Sequence, residues 1–509
     1  MSENTKKTLL GSAVILFVLS LLNKGLGFIK SMILASVFGA TVQTDAYYVA
    51  EGLVQNAIIP ISEAVAVSFL PIYIGIREKN PKESKAFTCR TIIDIFFLAI
   101  ILSGLLYIIA PFLLKLILPS YEETERSLSV FYFRILIWGM CFFMLNQLLQ
   151  SLLNAERQYG YSSFTAMMNN LILTVAVIFC GRQYGMGVLA VSMLFSYTIQ
   201  YVFLQVKSYP YGHLTYKCGC RDTKITKLCM HALPVFFGNA VYELNSLVDR
   251  SLLAGMDEGA VTAVSYAAVL YQFASNLISI PMMTIIYTEL AESFAAGHMK
   301  QGMEKLEKGI HISLFFCIPL SLFVMVSSNL IVEITYARGA FDVQAVMMMA
   351  QGLKYYGLCF LSYCINALLC RACYSLDDTT LTMKVGIGAV CLNVILSITL
   401  SRILGLRGIV LATAVANTLS CLVTLFIFNR TKLKIHFMRF IRPCMIIIFA
   451  SAISTTICVL WLRYAAEVNG ILCFSMAVCI EFGLYVLIMI VCKDDLTLEI
   501  MSLIRSLKK

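Results

Sequence analysis

Residues 91–117 read TIIDIFFLAIILSGLLYIIAPFLLKLI, an apolar run whose charges, Asp94 and Lys115, stand near its ends. About 20 such residues cross a bilayer as an α-helix, and an unbroken run excludes the alternating strands of a closed outer-membrane barrel. Similar runs occur at about 9–37, 46–75, 129–155, 162–180, 186–206, 229–254, 262–290, 309–335, 344–371, 381–401, 407–428, 441–463 and 470–492. Over all 509 residues, 59% are hydrophobic and 13% charged, against roughly 25% charged in a soluble domain, and the mean hydropathy is +0.83. Soluble globular folds, disorder, collagen and coiled coil are excluded. The fold class predicted is an all-α polytopic membrane protein of about 14 transmembrane helices. Gly25, Gly27, Pro60, Pro234, Pro281 and Pro319 fall inside these runs and are expected to interrupt them.

The first run, from Leu9, is too long for a signal-peptide core and lacks a small-residue cleavage site, so it is read as a membrane span. Most of the 18 Cys lie within apolar runs and read as small buried hydrophobes. His213, Cys218, Cys220, Cys229 and His231 gather in a basic loop, but neither a paired C-x-x-C nor a finger spacing is present, and no metal site is expected. Lys and Arg collect on alternate connections: Arg77, Lys79, Lys82, Lys85 and Arg90; then Lys207, Lys217, Arg221, Lys224 and Lys227; then Arg430, Lys432, Lys434, Arg439 and Arg442. Those loops, and with an even span count both termini (Lys6 and Lys7, Lys508 and Lys509), are expected on the cytoplasmic side. The net charge of +10 is then topology and anionic-lipid contact rather than a nucleic-acid footprint. No nucleotide-binding, zinc-protease or nucleophile-elbow motif occurs, so neither an enzyme nor an ATP-driven pump is expected.

Val37-Phe38-Gly39-Ala40 leading to Thr44-Asp45-Ala46-Tyr47-Tyr48-Val49-Ala50 is echoed by Leu253-Ala254-Gly255-Met256 leading to Val264-Ser265-Tyr266-Ala267-Ala268, and more weakly Leu153-Asn154-Ala155 through Asn170 by Tyr374-Ser375-Leu376 through Asn393. Two six-helix halves around a central site are the usual build of a transporter. The expected division is an N-terminal half at 1–227, a C-terminal half at 228–436, and two further helices with a cytoplasmic tail at 437–509.

A charge at mid-membrane costs roughly 2.5–3.5 kcal/mol on insertion scales, so each needs a partner or a wet cavity. Lys24 and Lys30 on the first span could face Asp45, Glu51 and Glu63 on the second. On the seventh, Asn239, Glu243, Ser246 and Arg250 follow at steps of four, three and four, which places them on one helical face. Asn146, Gln150 and Asn154 on the fourth span, Arg134 and Lys354 are further polar positions. The bland alternative is that such groups glue helices together or sit in headgroups. A cationic cavity lined by Lys24, Lys30, Asn239, Ser246 and Arg250 would select an anionic phosphate or pyrophosphate headgroup.

Asn23-Lys24-Gly25-Leu26-Gly27-Phe28-Ile29-Lys30, Phe38-Gly39-Ala40 and Thr44-Asp45-Ala46-Tyr47 resemble the first two helices of the MurJ/MviN lipid II flippases, within the multidrug, oligosaccharidyl-lipid and polysaccharide exporters. Leu153-Asn154-Ala155 before Asn170, Arg371-Ala372-Cys373-Tyr374-Ser375-Leu376-Asp377-Asp378-Thr379 before Asn393, and Gly405-Leu406-Arg407-Gly408 before Ala412-Thr413 are similar to its later signatures. The resemblance spans the chain. It implies that two functional arginines of that family fall on Lys24 and Lys30 and its acidic residue on Asp45, which joins the expected substrate-binding set; charge survives, the bidentate fork does not. The family's other basic positions fall on Ile58, Ile59 and Val269, which leaves the cargo open between lipid II and a related lipid-linked glycan. Some members bind sodium; the nearest residues here are Glu243, Asn393, Ser397 and Thr413, all oxygen-bearing but only one acidic, so sodium or proton coupling is open and no other cofactor is expected.

The function expected is therefore a flippase of the bacterial cytoplasmic membrane that moves an undecaprenyl-pyrophosphate-linked cell-wall precursor by alternating access. Its partners would be the anionic lipid-linked glycan, membrane lipids and cell-wall synthesis enzymes, with no nucleic acid. A polysaccharide-repeat-unit exporter is the nearest alternative. A cation-coupled multidrug exporter would want an acidic cavity, which Lys24 and Lys30 oppose. A membrane glycan polymerase would need a long outer catalytic loop, and none of the outer loops is long enough.

Overall fold

The computed structural model describes residues 3–211, 223–295, 297–376, 378–431, 438–465, 469–494 and 496–499. His213, Cys218 and Cys220 of the zinc group, Lys217, Arg221, Lys432 and Lys434 of the basic loops, the signature Asp377, and Lys508 and Lys509 lie outside the described residues.

All regular structure among the described residues is α-helix: α1 Glu3–Phe38, α2 Val42–Lys79, α3 Pro81–Ile117, α4 Glu123–Ala155, α5 Gly160–Tyr184, α6 Gly187–Ser208, α7 Thr223–Ala254, α8 Ala260–Ala295, α9 Met299–Tyr336, α10 Val343–Tyr356, α11 Cys359–Ser375, α12 Thr379–Leu404, α13 Leu406–Thr431, α14 Met438–Tyr464 and α15 Gly470–Val491. Every apolar run is helical, and the run at 344–371 is a bent pair, α10 and α11, meeting at 44°. By length and apolarity 12 of the described helices can cross a membrane, or 13 with the bent pair as one span, so the expected fourteen is approximate. The protein is a polytopic helical membrane protein. The short links follow from capping chemistry: Thr41 and Thr44 close a reciprocal box at the start of α2, and Asn80 Oδ1 accepts from Lys82 N at 3.1 Å while Pro81 opens α3.

The expected interruptions do not occur. α1 runs through Gly25 and Gly27, α2 through Pro60 and α9 through Pro319, and α7 and α8 continue past Pro234 and Pro281. A proline removes one backbone hydrogen bond, but a helix held on its flanks by neighbours keeps its course.

The chain packs as two compact units, residues 1–265 with 338–345, and residues 266–337 with 346–509. The sequence division at 227 and 436 follows helix order; the units follow packing, and α7 sits with the first. In the first unit α2 packs on α4 and α7, α4 also on α3 and α6, and α1 on α5. Phe69 stacks on Tyr73 and on Phe87, each at 5.5 Å. At the basic end of α2, Glu156 accepts from Tyr73 Oη and from Arg77 Nη1, both at 2.8 Å, tying α2 to the end of α4. In the second unit α9 packs on α11 and α12 on α13 around Met282, Leu290, Leu306, Leu368 and Phe428, and α9 packs on α14 and α15, and α14 on α15, around Phe315, Ile447, Ala450, Tyr485 and Met489.

Candidate functional site

The polar stripe of α7 faces α2, and the two helices run antiparallel through a ladder of polar rungs. Asn239 Nδ2 donates to Glu63 Oε2 at 3.0 Å. The Asn56 amide, oriented so that its nitrogen is the donor, reaches Glu243 Oε2 at 2.7 Å and Gly52 O at 3.1 Å. Arg250 Nη1 donates to Tyr48 O at 2.9 Å. Its guanidinium lies over Gly52 so closely that a Cβ there would overlap it; glycine is what admits the cation to the α2 backbone. Ser246 is half-buried on the same helix. On α2, Gly52, Asn56 and Glu63 stand at steps of four and seven, one helical face matching the α7 stripe.

Asp45 closes the far end of this ladder rather than facing either lysine. Its Oδ2 accepts from Gly259 N at 2.8 Å, and its Oδ1 from Thr262 N at 2.8 Å and Thr262 Oγ1 at 2.6 Å. A carboxylate on α2 thus caps the first turn of α8, where unpaired N–H groups and the helix dipole favour an anion. Glu258 Oε1 returns the contact by accepting from Val42 N at 3.0 Å. Gly259, at φ +83, approaches Ala40, and a Cβ would come within 2.6 Å of Ala40 O. The two segments that echo each other in the sequence therefore meet in space. Because Asp45 is only 7% exposed, Asp45→Ala should leave two buried N–H groups unpaired and lower unfolding free energy by about 1–3 kcal/mol. Thermal unfolding of the purified protein measures this, and an unchanged melting temperature would show that the clasp does not hold the helices.

Lys24 is exposed and Lys30 half-buried on α1, and among the described residues neither makes a hydrogen bond or a close ion pair. Glu51 is the acid in electrostatic reach of Lys30, and it also feels Arg250. Lys30 and Arg250 therefore converge on one α2 position, Glu51, rather than on Asp45. Asn170 of α5 fixes this part of α1: its Nδ2 donates to Asn23 Oδ1 at 2.9 Å and lies 3.6 Å from where a Cβ on Gly27 would stand. The signature residues Asn23, Gly27 and Asn170 are one packing contact beside the lysines. Ile58 is fully buried at 0% exposure, and Ile59 and Val269 are half-buried, so these positions offer apolar packing and no charge.

The candidate ion residues divide. In the second unit Ser397 Oγ donates to Asn393 Oδ1 at 2.9 Å, and Asn393 Nδ2 to Thr413 Oγ1 at 3.3 Å. Glu243 belongs to the first unit, on the Asn56 rung. No group of three or more His, Cys, Asp or Glu suited to a metal occurs among the described residues. Sequence reasoning passed over Gly52 and Asn56, although their spacing on α2 was legible, and over Glu481 in the last helix, whose signal was a lone acid at the centre of an apolar run.

A family model described as "Lipid II flippase MurJ" matches residues 34–480. The chain belongs to the lipid II flippase MurJ family. It is 24% identical over 416 residues, 80% of this chain and 82% of the relative, to a protein of Rickettsia prowazekii named "Probable lipid II flippase MurJ". A solved structure titled "Lipid II flippase MurJ, inward closed conformation" matches at TM-score 0.82 and 20% identity, covering 95% of this chain and 99% of that one. One titled "Inward-facing conformation of a multidrug resistance MATE family transporter of the MOP superfamily" matches at 0.62 and 13%, covering 80% and 98%. These structural likenesses establish the MurJ fold, shared with that exporter. MurJ proteins are transporters, and this member is a multi-pass protein of the inner membrane.

Proposed function

We propose that this chain translocates lipid II, or a closely related oligosaccharide on undecaprenyl pyrophosphate, across the inner membrane by alternating access. The observation that carries the reading is that Lys24 and Lys30 make no hydrogen bond or close ion pair among the described residues, Lys30 having only the more distant Glu51 in electrostatic reach, whereas Asp45, Asn239 and Glu243 are hydrogen-bonded. Lys24, Lys30 and Arg250 supply positive charge for the pyrophosphate, and Ser246, with the Asn239 amide oxygen that the bond to Glu63 leaves over, offers hydrogen bonds to the headgroup. Asp45 acts through position, by holding α8 against α2. Coupling to sodium or a proton runs through the Asn393–Ser397–Thr413 chain in the second unit, with Glu243 setting the charge of the first. Enzymes that make the lipid on the inner face and use it on the outer face are its partners of supply and demand. Both termini and the Arg77 to Arg90 loop face the cytoplasm, where the basic residues concentrate.

Depleting the protein and extracting lipids tests the cargo: lipid II should accumulate on the cytoplasmic face, and accumulation of a different lipid-linked glycan would move the assignment to that glycan. Lys82→Cys should resist an impermeant thiol reagent added from outside. Labelling there would reverse the topology.

A further inference from the structure

Glu481 stands halfway along α15 and is fully buried, at 0% exposure. An ionisable group at that depth is costly and is normally paired or part of an ion path. Its Oε1 accepts from Ser454 Oγ at 3.1 Å and Thr455 Oγ1 at 2.9 Å, both on α14. Its Oε2 accepts nothing. Ser451, one turn earlier on the same face of α14, is also 0% exposed, and its hydroxyl too lacks a partner. Ser327 on α9, 1% exposed, reaches the Cys458 thiol, and Cys458 also lies beside Glu481. The surroundings are apolar: Phe323, Cys458 and Ala477, with Trp461, Phe474 and Phe482 packed against them. Residues 312–332 of α9, 443–462 of α14 and 470–491 of α15 contain no Lys, Arg or His, so these stretches supply no counter-charge.

A protonated Glu481 could turn an O–H on Oε1 toward Ser454 Oγ, which itself donates to Ser451 O at 3.1 Å, but it would still leave Oε2 and the Ser451 hydroxyl unmet. A bound cation resolves these deficits together, since it draws the free carboxylate oxygen and the hydroxyl lone pairs onto one centre. One carboxylate with neutral hydroxyls balances one positive charge; a divalent ion would leave an uncompensated charge in an apolar surround. We propose that Glu481, Ser451, Ser454 and Thr455 bind a small monovalent cation, with Ser327 at its edge, between α14, α15 and α9. The site is separate from the Asn393–Ser397–Thr413 chain, and its occupancy sets how firmly the last two helices pack on α9.

The chain contains two Trp, and Trp461 Nε1 donates to Cys473 O at 3.3 Å across the α14–α15 contact. The full chain in nanodiscs, with Trp138→Phe to isolate Trp461 and Asn393→Ala to remove the other oxygen chain, is titrated with sodium chloride against choline chloride at constant ionic strength. Trp461 fluorescence should change saturably with sodium, and Glu481→Gln should raise the half-saturating concentration at least about tenfold. Where Glu481→Gln does not fold, Ser451→Ala with Thr455→Val keeps the acid, removes hydroxyl ligands and should weaken the response in the same direction. No sodium response in the parent, or an equal response in the variants, overturns the site. A response to pH without one to sodium also overturns it, because the carboxyl then holds only a proton.

Discussion

Lys30→Gln should abolish flipping while the protein remains inserted and folded, and Lys30→Arg should retain it. One charge-assisted contact to a pyrophosphate oxygen is worth about 1.5–3 kcal/mol, or roughly 10–150-fold in cargo affinity. Lys24 lies six residues earlier, about 9 Å along the unbroken α1 and roughly 120° around it, so one headgroup meets both ammonium groups by extending around the helix. The structure also defines the competing explanation. Glu51 is the acid that Lys30 feels, so if the lysine serves only to neutralise Glu51, Lys30→Gln combined with Glu51→Gln should regain activity. Growth complementation after depletion reads both variants, and rescue by the double neutral change would remove the anionic-cargo role of Lys30. Failure of rescue at normal expression supports it.

Gly52→Ala should disable the protein through Arg250. A methyl group at residue 52 would occupy the space of the guanidinium, so Arg250 must leave Tyr48 O, and the neighbouring Asn56 rung loses its register. Overpacking of this kind costs about 1–3 kcal/mol in stability, and transport should fall by at least as much as in Arg250→Ala. The two changes should not add: Gly52→Ala in an Arg250→Ala background should cost little, since the clash is gone. Additive losses in that cycle, measured by complementation and thermal unfolding, would show that Gly52 matters for a reason other than seating the arginine.

These two residues mark what could and could not be read from the chain. The helices were legible because a bilayer admits only structures that satisfy their own backbone, so any 20-residue apolar run must become a helix. The charged residues on α1 and the four-residue stripe on α7 were legible for the same reason, since a polar group in such a run stands out against its surroundings. The MurJ resemblance was legible in Asn23 to Lys30 and Thr44 to Tyr47, although the reason for those signatures was not: Asn23 and Gly27 meet Asn170 147 residues away from Asn23, and Asp45 meets Thr262 across 217 residues. Partner choice was decided only by the tertiary structure. Periodicity tells which residues share a face but not which helix covers it, so Asp45 could be assigned to Lys24 when it caps α8. On α7, Asn239 could likewise be given to substrate and Glu243 to an ion when both also pair with α2. A backbone hydrogen bond is local in a helix and follows from composition, whereas a side-chain pairing between helices depends on packing that brings distant turns together.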